Sequence, residues 1–451
     1  MPHHHDVAPV GQYPGAGIPK IDAEAHPIAQ QKRQRTARTT LRPGIILVSA
    51  LASLLGMASG AHAANGLLSA RDHAIVDASG HTVQLTGFNL GGWFVMESFM
   101  SPMDRTQKLR DAYGVMTTLD RRFGAEQARA LMRDYARSWI TTSDIRAISA
   151  AGYNLVRIPL WWGQFFDLDN PTPSGWRADA FDVLDDIVRD CRAHGLYAIL
   201  DMHGVVGSQS PASNTGQAGR NAYWTDPAAQ AQTDWMWSRI ASHYRGNATI
   251  AGYDVINEPA PPQGMPARPA VWHAYDRLYT AIRAVDPDHM IFLEGAFGKW
   301  DWSMLPDPRT QGWTNVVYEM HVYRWPQPGE DRAALAQAVA ASAAHAVADF
   351  HAHADWHVPG YIGEFNGFDT GAATWRHLTD AYSEAGLNWS MWSYKAVNGV
   401  APNHWGYQDP RRWPARPDPA TDTAADIRRD WRNWTTEATF AVNPAIGLRM
   451  P

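Results

Sequence analysis

Residues 250–259 read Ile-Ala-Gly-Tyr-Asp-Val-Ile-Asn-Glu-Pro. The run Ile250–Ile256 is short and dominated by apolar residues, as a strand covered on both faces must be, and it gives way to Asn257-Glu258-Pro259, where proline cannot donate to a sheet ladder. The same phrase recurs along the chain. Asn154–Ile158 contains Arg157, Tyr197–Met202 runs into His203, and Val316–His321 is followed by Tyr323. Tyr361–Phe365 holds Glu364, and Trp389–Trp392 ends in Trp392. Gln84–Asn89 and Met290–Glu294 bring the apolar runs to eight.

Between these runs lie segments of helical character: Ala178–Ala193, Ala270–Val285, the alanine-rich Ala333–Phe350, and Ala372–Ala385. Strands apolar throughout, alternating with amphipathic helices, describe a parallel sheet covered by helices. Eight such units predict an α/β protein, a (β/α)8 TIM barrel. Val76–Gly80 followed by Thr82–Leu85 predicts a short N-terminal β-hairpin with a polar turn. No internal repeat or linker interrupts residues 64–451, which read as one domain. The proline-rich stretches 259–269 and 410–419 read as loops.

The first 63 residues have a different character. A basic stretch with Lys32, Arg33, Arg35, Arg38 and Arg42 precedes the uncharged run Ile45–Met57, which ends at Ala61-His62-Ala63. Basic, apolar, small-residue is the order of a secretory signal, and the run is short of the roughly 20 residues a membrane anchor needs. Residues 1–63 are therefore expected to be a lead and signal peptide, removed to leave a secreted or periplasmic bacterial protein with no membrane attachment.

Composition narrows the function. The 451 residues carry a formal net charge of −6, which argues against nucleic acid or an anionic membrane as partner. A single cysteine, Cys191, excludes an intrachain disulfide framework and a cysteine-based zinc site. There are 21 tryptophans, a number that hints at flat apolar faces on which something stacks.

In a barrel, the residues at the C-terminal ends of the strands converge on one mouth, where barrel active sites sit. Two of them, Glu258 and Glu364, are carboxyls on different strands. A carboxylic acid facing a carboxylate can break a glycosidic bond: one protonates the leaving oxygen while the other attacks the anomeric carbon or activates water. Arg157 and the Tyr323 hydroxyl are groups suited to keeping one of the pair ionised. Asn257 can hydrogen-bond a sugar hydroxyl.

The set Arg157, His203, Asn257, Glu258, His321, Tyr323, Glu364 and Trp392 resembles, in order and strand context, the active-site residues of glycoside hydrolase family 5. The resemblance runs from Gly87 to Trp392. It implies a retaining mechanism, with Glu258 as acid/base, Glu364 as nucleophile, Asn257 on the sugar 2-hydroxyl and Trp392 as the floor of the cleavage subsite. His203, His321, Arg157 and Tyr323 would orient and tune the carboxyls, with no metal or other cofactor. Gly87-Phe88-Asn89-Leu90-Gly91-Gly92-Trp93, and Asp201-Met202-His203-Gly204 leading into Gly207-Ser208-Gln209-Ser210, are most similar to the exo-β-1,3-glucanase branch. There Glu97 would contact the non-reducing glucose. His321-Val322-Tyr323, Gly363-Glu364-Phe365 and Trp392-Ser393-Tyr394-Lys395 are more similar to endo-acting bacterial β-glucanases. A β-glucan with β-1,3 or β-1,4 linkages is the expected substrate, a β-mannan or glycolipid the alternative, and a monomer the expected state.

Other chemistries fit less well. A metal-dependent barrel hydrolase wants an H-x-H near its first strand, whereas His351 and His353 come late. A Schiff-base barrel needs a buried lysine, and of Lys108, Lys299 and Lys395 only the last is near a strand end. A non-catalytic sugar-binding barrel remains the rival of a different class, although such proteins usually lose one catalytic carboxyl and this chain has both.

Overall fold

The structure is a computed structural model, and it describes residues 66–104, 109–298, 301–397 and 405–448. The expected signal peptide at 1–63 lies outside the described residues, as do Arg105, Lys108 and Lys299.

Twelve strands occur among the described residues. β1 (Ser69–Arg71) and β2 (Ala74–Val76) form an antiparallel hairpin. β3 (Thr86–Asn89), β4 (Leu155–Trp161), β5 (Tyr197–Gly204), β6 (Ile250–Asp254), β7 (Met290–Glu294), β8 (Val316–Val322), β9 (Gly360–Phe365) and β10 (Asn388–Met391) close into a parallel barrel in that order, β10 returning to β3. β11 (Gln408–Pro410) and β12 (Phe440–Val442) pair as a separate ribbon. The expected barrel is present, with each strand centred on its apolar run.

The helices are α1 (Ala112–Phe123), α2 (Ala125–Trp139), α3 (Thr142–Ala150), α4 (Asp182–Ala193), α5 (Pro227–Tyr244), α6 (Ala267–Arg283), α7 (Pro308–Gln311), α8 (Arg332–Ala352), α9 (Ala372–Glu384), α10 (Ala424–Arg432) and α11 (Thr436–Thr439). Several of their starts follow from side-chain caps. Asp111 accepts from the Gly114 amide, Asp226 precedes a proline at the first helical position, and Asp331 accepts from the Ala334 amide. Long and apolar as it is, α8 buries Leu335, Val339, Ala343, Ala346 and Phe350, the face of a core helix.

The expected polar turn is present, and a further antiparallel hairpin, β1–β2, precedes it. The β1–β2 turn is at Asp72, in the left-handed region at φ 53°, and the turn at 77–81 brings Val76 beside Thr82, with Asp77 N–H donating to the His81 carbonyl and Val83 N–H to the Ile75 carbonyl. The hairpin plugs the barrel's N-terminal end: Leu68 and Ile75 pack with Leu155, Tyr197, Met290 and Val317.

The tryptophan reading needs correction. Trp93, Trp139, Trp237, Trp431 and Trp434 are buried, each indole N–H donating to a backbone carbonyl. They fill the wide gap between barrel and helices, where a large ring with one satisfied donor packs well. Among the described residues only Trp325 and Trp413 are prominently exposed.

Candidate active site

Side chains alternate along a strand, so every second residue of a barrel strand points inward. Reading inward-facing positions from bottom to top gives Tyr197, Ile199, Asp201 and His203 on β5, then Met290, Phe292 and Glu294 on β7, and Val317, Glu319 and His321 on β8. The lower levels are apolar, the next is carboxylate, and histidines stand at the top. Gly363 on β9 makes room for this layer, because a Cβ there would lie 1.5 Å from Glu319 Oε1.

Arg157 is the centre of the acidic layer and fully buried. Its guanidinium contacts Asp254 Oδ2 at 2.6 Å, Asp201 Oδ2 at 2.9 Å, Glu364 Oε1 at 3.0 Å and Glu319 Oε1 at 3.4 Å. It also donates to Asn89 Oδ1 and Asn257 Oδ1, at 3.0 and 2.9 Å. Burial works against this cation, yet the surrounding carboxylates outweigh it and push its pKa well up. The same burial raises Asp254 to about 7. Asp201, Asp254, Glu294 and Glu319 were not singled out from the sequence. The available signal was the two-residue spacing, since Asp201 and Glu319 each precede a predicted histidine by two positions.

The two glutamates meet above this layer. Glu364 accepts from Arg157 Nη1 on one oxygen and from the Tyr323 hydroxyl, at 2.8 Å, on the other. Tyr323 keeps its proton, because burial and the Glu364 charge both raise its pKa. Glu258 has its Oε1 at 3.0 Å from His321 Nδ1 and accepts from Asn214 Nδ2, at 2.7 Å, on Oε2. His321 Nδ1 also lies 3.6 Å from Glu364 Oε2, so one imidazole touches both carboxyls. Burial disfavours a charge on His321, but Glu294 and Glu364 overcome it and hold the ring's pKa well above its ordinary value. His203 donates or accepts through Nδ1 at 2.6 Å from Asp201, and its ring stacks on Trp392 at 5.1 Å and 9°.

Glu258 itself sits at φ 44°, a left-handed backbone that costs a non-glycine residue of order 1–3 kcal/mol. Its amide donates to Glu294 Oε2 at 2.6 Å, which fastens the strained position from below. Asn257, whose Oδ1 is taken by Arg157, has a buried Nδ2 donor without a protein partner. Beyond Tyr323 the wall is aromatic: Trp325 stacks on Tyr323 at 5.7 Å and packs against Trp405 and Phe368. Trp325 and Trp405 were also missed in the sequence, where nothing separates them from core tryptophans. Lys395 is buried, but it donates to the Trp139 carbonyl and Thr436, tying α2 to α11. His353 bonds the Asp349 carbonyl at the end of α8.

The chain matches the family model Cellulase (glycosyl hydrolase family 5) across residues 76–398. It belongs to glycosyl hydrolase family 5. By family it is thus an O-glycosyl hydrolase. Over 55% of its length it is 32% identical to a beta-xylosidase of Phanerodontia chrysosporium, covering 50% of that protein. Over 62% of its length it is 30% identical to a glucan 1,3-beta-glucosidase of Yarrowia lipolytica, covering 67% of it. The chain spans about half the length of the first curated relatives it matches. Among solved structures, a rutinosidase from Aspergillus niger superposes with a TM-score of 0.59 at 17% identity, over 78% of this chain and 98% of that one. At that identity the likeness is one of fold, and it agrees with the family 5 barrel described above.

Glu97, on the segment after β3, is buried beside this family 5 centre and accepts from Ser213 Oγ at 3.2 Å. Burial raises its pKa to about 7, against the opposing pull of His203 and the Ser213 hydrogen bond. Between its ordinary value near 4.5 and about 7, the folded protein holds a proton that the unfolded chain releases. Stability is therefore lost as pH rises through that window and is level above it. The Tm of Glu97→Gln minus that of the wild type should grow from pH 5 to pH 8 in thermal melts. A difference that stays constant over this range would mean that Glu97 is ionised throughout.

Proposed function

We propose that the protein is a secreted retaining β-glycosidase that removes glucose from the non-reducing end of a β-1,3-linked glucan. The observation that carries the reading is the pair Glu258 and Glu364, both in contact with His321 Nδ1 and each in a different environment. Retaining enzymes hold the two carboxyls roughly 5–5.5 Å apart, a spacing that oxygens at 3.0 and 3.6 Å from one nitrogen can meet.

In this reading Glu364, hydrogen-bonded by Arg157 and Tyr323, attacks the anomeric carbon. Glu258 gives its proton to the departing glycosidic oxygen as the carbon–oxygen bond breaks, and a glycosyl ester on Glu364 results. Glu258, now a carboxylate, takes a proton from water, whose oxygen displaces Glu364 and restores the starting configuration. The Asn257 amide offers its free donor to the 2-hydroxyl of the sugar being cleaved. Trp392, stacked on His203, floors that sugar, while Trp325 and Tyr323 give the departing sugar a flat apolar face.

Exo action is supported by Glu97 and Glu258. Both are bound by one short turn, through Ser213 and Asn214. Glu97 then serves the hydroxyls of the terminal glucose. The names of relatives, glucan 1,3-beta-glucosidase among them, favour the β-1,3 linkage. Export is supported by the basic, apolar, small-residue order before Ala64 and suits a polymer met outside the cell.

Product analysis on laminarin, lichenan, carboxymethylcellulose, mannan and aryl β-glucosides tests the reading. Glucose alone, released fastest from laminarin, is the expected result, whereas a ladder of oligomers would mean endo action. Glu97→Ala is expected to lower kcat/KM on laminarin about 10- to 150-fold, the loss of a charge-assisted hydrogen bond of about 1.5–3 kcal/mol. A stability loss with unchanged kinetics would make Glu97 structural.

A further inference from the structure

Asp72 and His73 form the turn between β1 and β2, and His357 lies in the loop before β9, 285 residues from Asp72. We infer that these three side chains are a binding site for a borderline divalent transition metal, Zn2+ above all, on the closed face of the barrel.

One ligand atom from each residue lies within 4.8 Å of the other two, a spacing a single ion can bridge. His357 Nδ1 is 2.7 Å from Asp72 Oδ1, a contact that holds one proton when no ion is bound and that an ion can replace. The two imidazoles meet edge to face at 5.6 Å. His73 Nε2 is 2.7 Å from the Ala354 carbonyl, which can only accept, so Nε2 carries the proton and the lone pair stays on Nδ1. A ligating histidine usually donates its other ring nitrogen to a carbonyl or carboxylate in this way, which fixes its orientation.

Asp72 and His357 both adopt the left-handed backbone, at φ 53° and 55°, so each side chain is presented from a tight turn. The nearby Asp307 carboxylate interacts with His357 and adds negative charge to the neighbourhood. Two imidazoles and one carboxylate suit Zn2+, Ni2+ and Cu2+ rather than Mg2+ or Ca2+, which want oxygen ligands. The remaining coordination positions face solvent, since Asp72 and His357 are more than half exposed.

Such an ion would clamp the hairpin plug to the loop entering β9. It would lie at the end of the barrel away from Glu258 and Glu364 and act on stability rather than on turnover. The site is independent of the proposed substrate.

The test is Zn2+ titration of the metal-stripped full chain by calorimetry and thermal melts, with Mg2+ as control. Because His3, His4 and His5 offer three adjacent imidazoles, the wild type is compared with His73→Ala, His357→Gln and a variant with those three histidines replaced by alanine. The expected result is a Tm rise of a few degrees at Zn2+ a hundredfold above Kd, kept when residues 3–5 are replaced. His73→Ala and His357→Gln each lose one equivalent of bound Zn2+ and at least half of the Tm rise, and kcat stays at the wild-type value. If either variant fails to fold, Asp72→Asn serves in its place, with a Kd weakened about tenfold or more. Equal Zn2+ stoichiometry and equal Tm rise in wild type and site variants, or no Tm rise in the wild type, would overturn the inference.

Discussion

Glu364→Ala should abolish formation of the glycosyl ester on every substrate, however good the leaving group, while the loss in Glu258→Ala should depend on what departs. A natural glucan releases a poor alkoxide that needs the Glu258 proton, so Glu258→Ala is expected to cost about 10²–10⁴-fold there. A dinitrophenyl glucoside departs unaided, so its ester still forms and then accumulates, because no base activates water. Azide, which needs no base, should rescue Glu258→Ala and give a β-configured glucosyl azide. In Glu364→Ala azide can enter only where the carboxylate stood, giving the α product. Product configuration by NMR decides the matter. Inverted products from the wild type, or azide products of swapped configuration, would reverse or remove the two roles.

Arg157→Met should be the most destabilising single change in the site. Methionine fills much of the volume, but Asp201, Asp254, Glu319 and Glu364 lose their shared cation while remaining buried. Removing one partner of a buried ion pair costs roughly 3–5 kcal/mol, about 4–6 °C in Tm for a domain of this size. The sign of the pH dependence follows from the same contacts. Burial already raises the folded-state pKa values of Asp201 and Asp254 against the pull of Arg157, and without it they rise further, so the folded variant binds extra protons and regains stability as pH falls. Melts should show the Tm deficit of Arg157→Met shrinking from pH 8 to pH 5. A deficit that does not change with pH would mean that packing, not charge, is what Arg157 supplies.

The barrel was legible because its strands are covered on both faces and read as apolar runs. The polar ends of those strands were legible because a charged residue closing such a run has few structural uses. What escaped was inside the strands. Asp254, Glu294 and Glu319 read as interruptions of apolar runs, since a one-dimensional string does not show that every second position points to the barrel axis. The β1–β2 turn was missed because Asp77-Ala78-Ser79-Gly80 is the stronger turn signal, whereas at Asp72 an aspartate, not a glycine, takes the left-handed position. α1, α2 and α3, between β3 and β4, carry no strand rhythm to anchor them. The tryptophans misled because an indole that completes an interior and one that faces a sugar are the same letter.

The vertical ordering of the barrel interior, with an apolar plug, a carboxylate layer around one guanidinium and a polar rim, also sets how sequences of this kind can drift. The rim loops touch the charge layer only through a few strand-end residues, so their length and composition can change, and with them the sugar accommodated. The layer below has one cation shared among several acids, and a single replacement there unbalances all of them. Substitutions at Arg157, Asp201, Asp254 and Glu319 should therefore appear in compensating sets rather than singly. A designer wishing to retarget the enzyme gains most by recombining loops above a middle layer left whole.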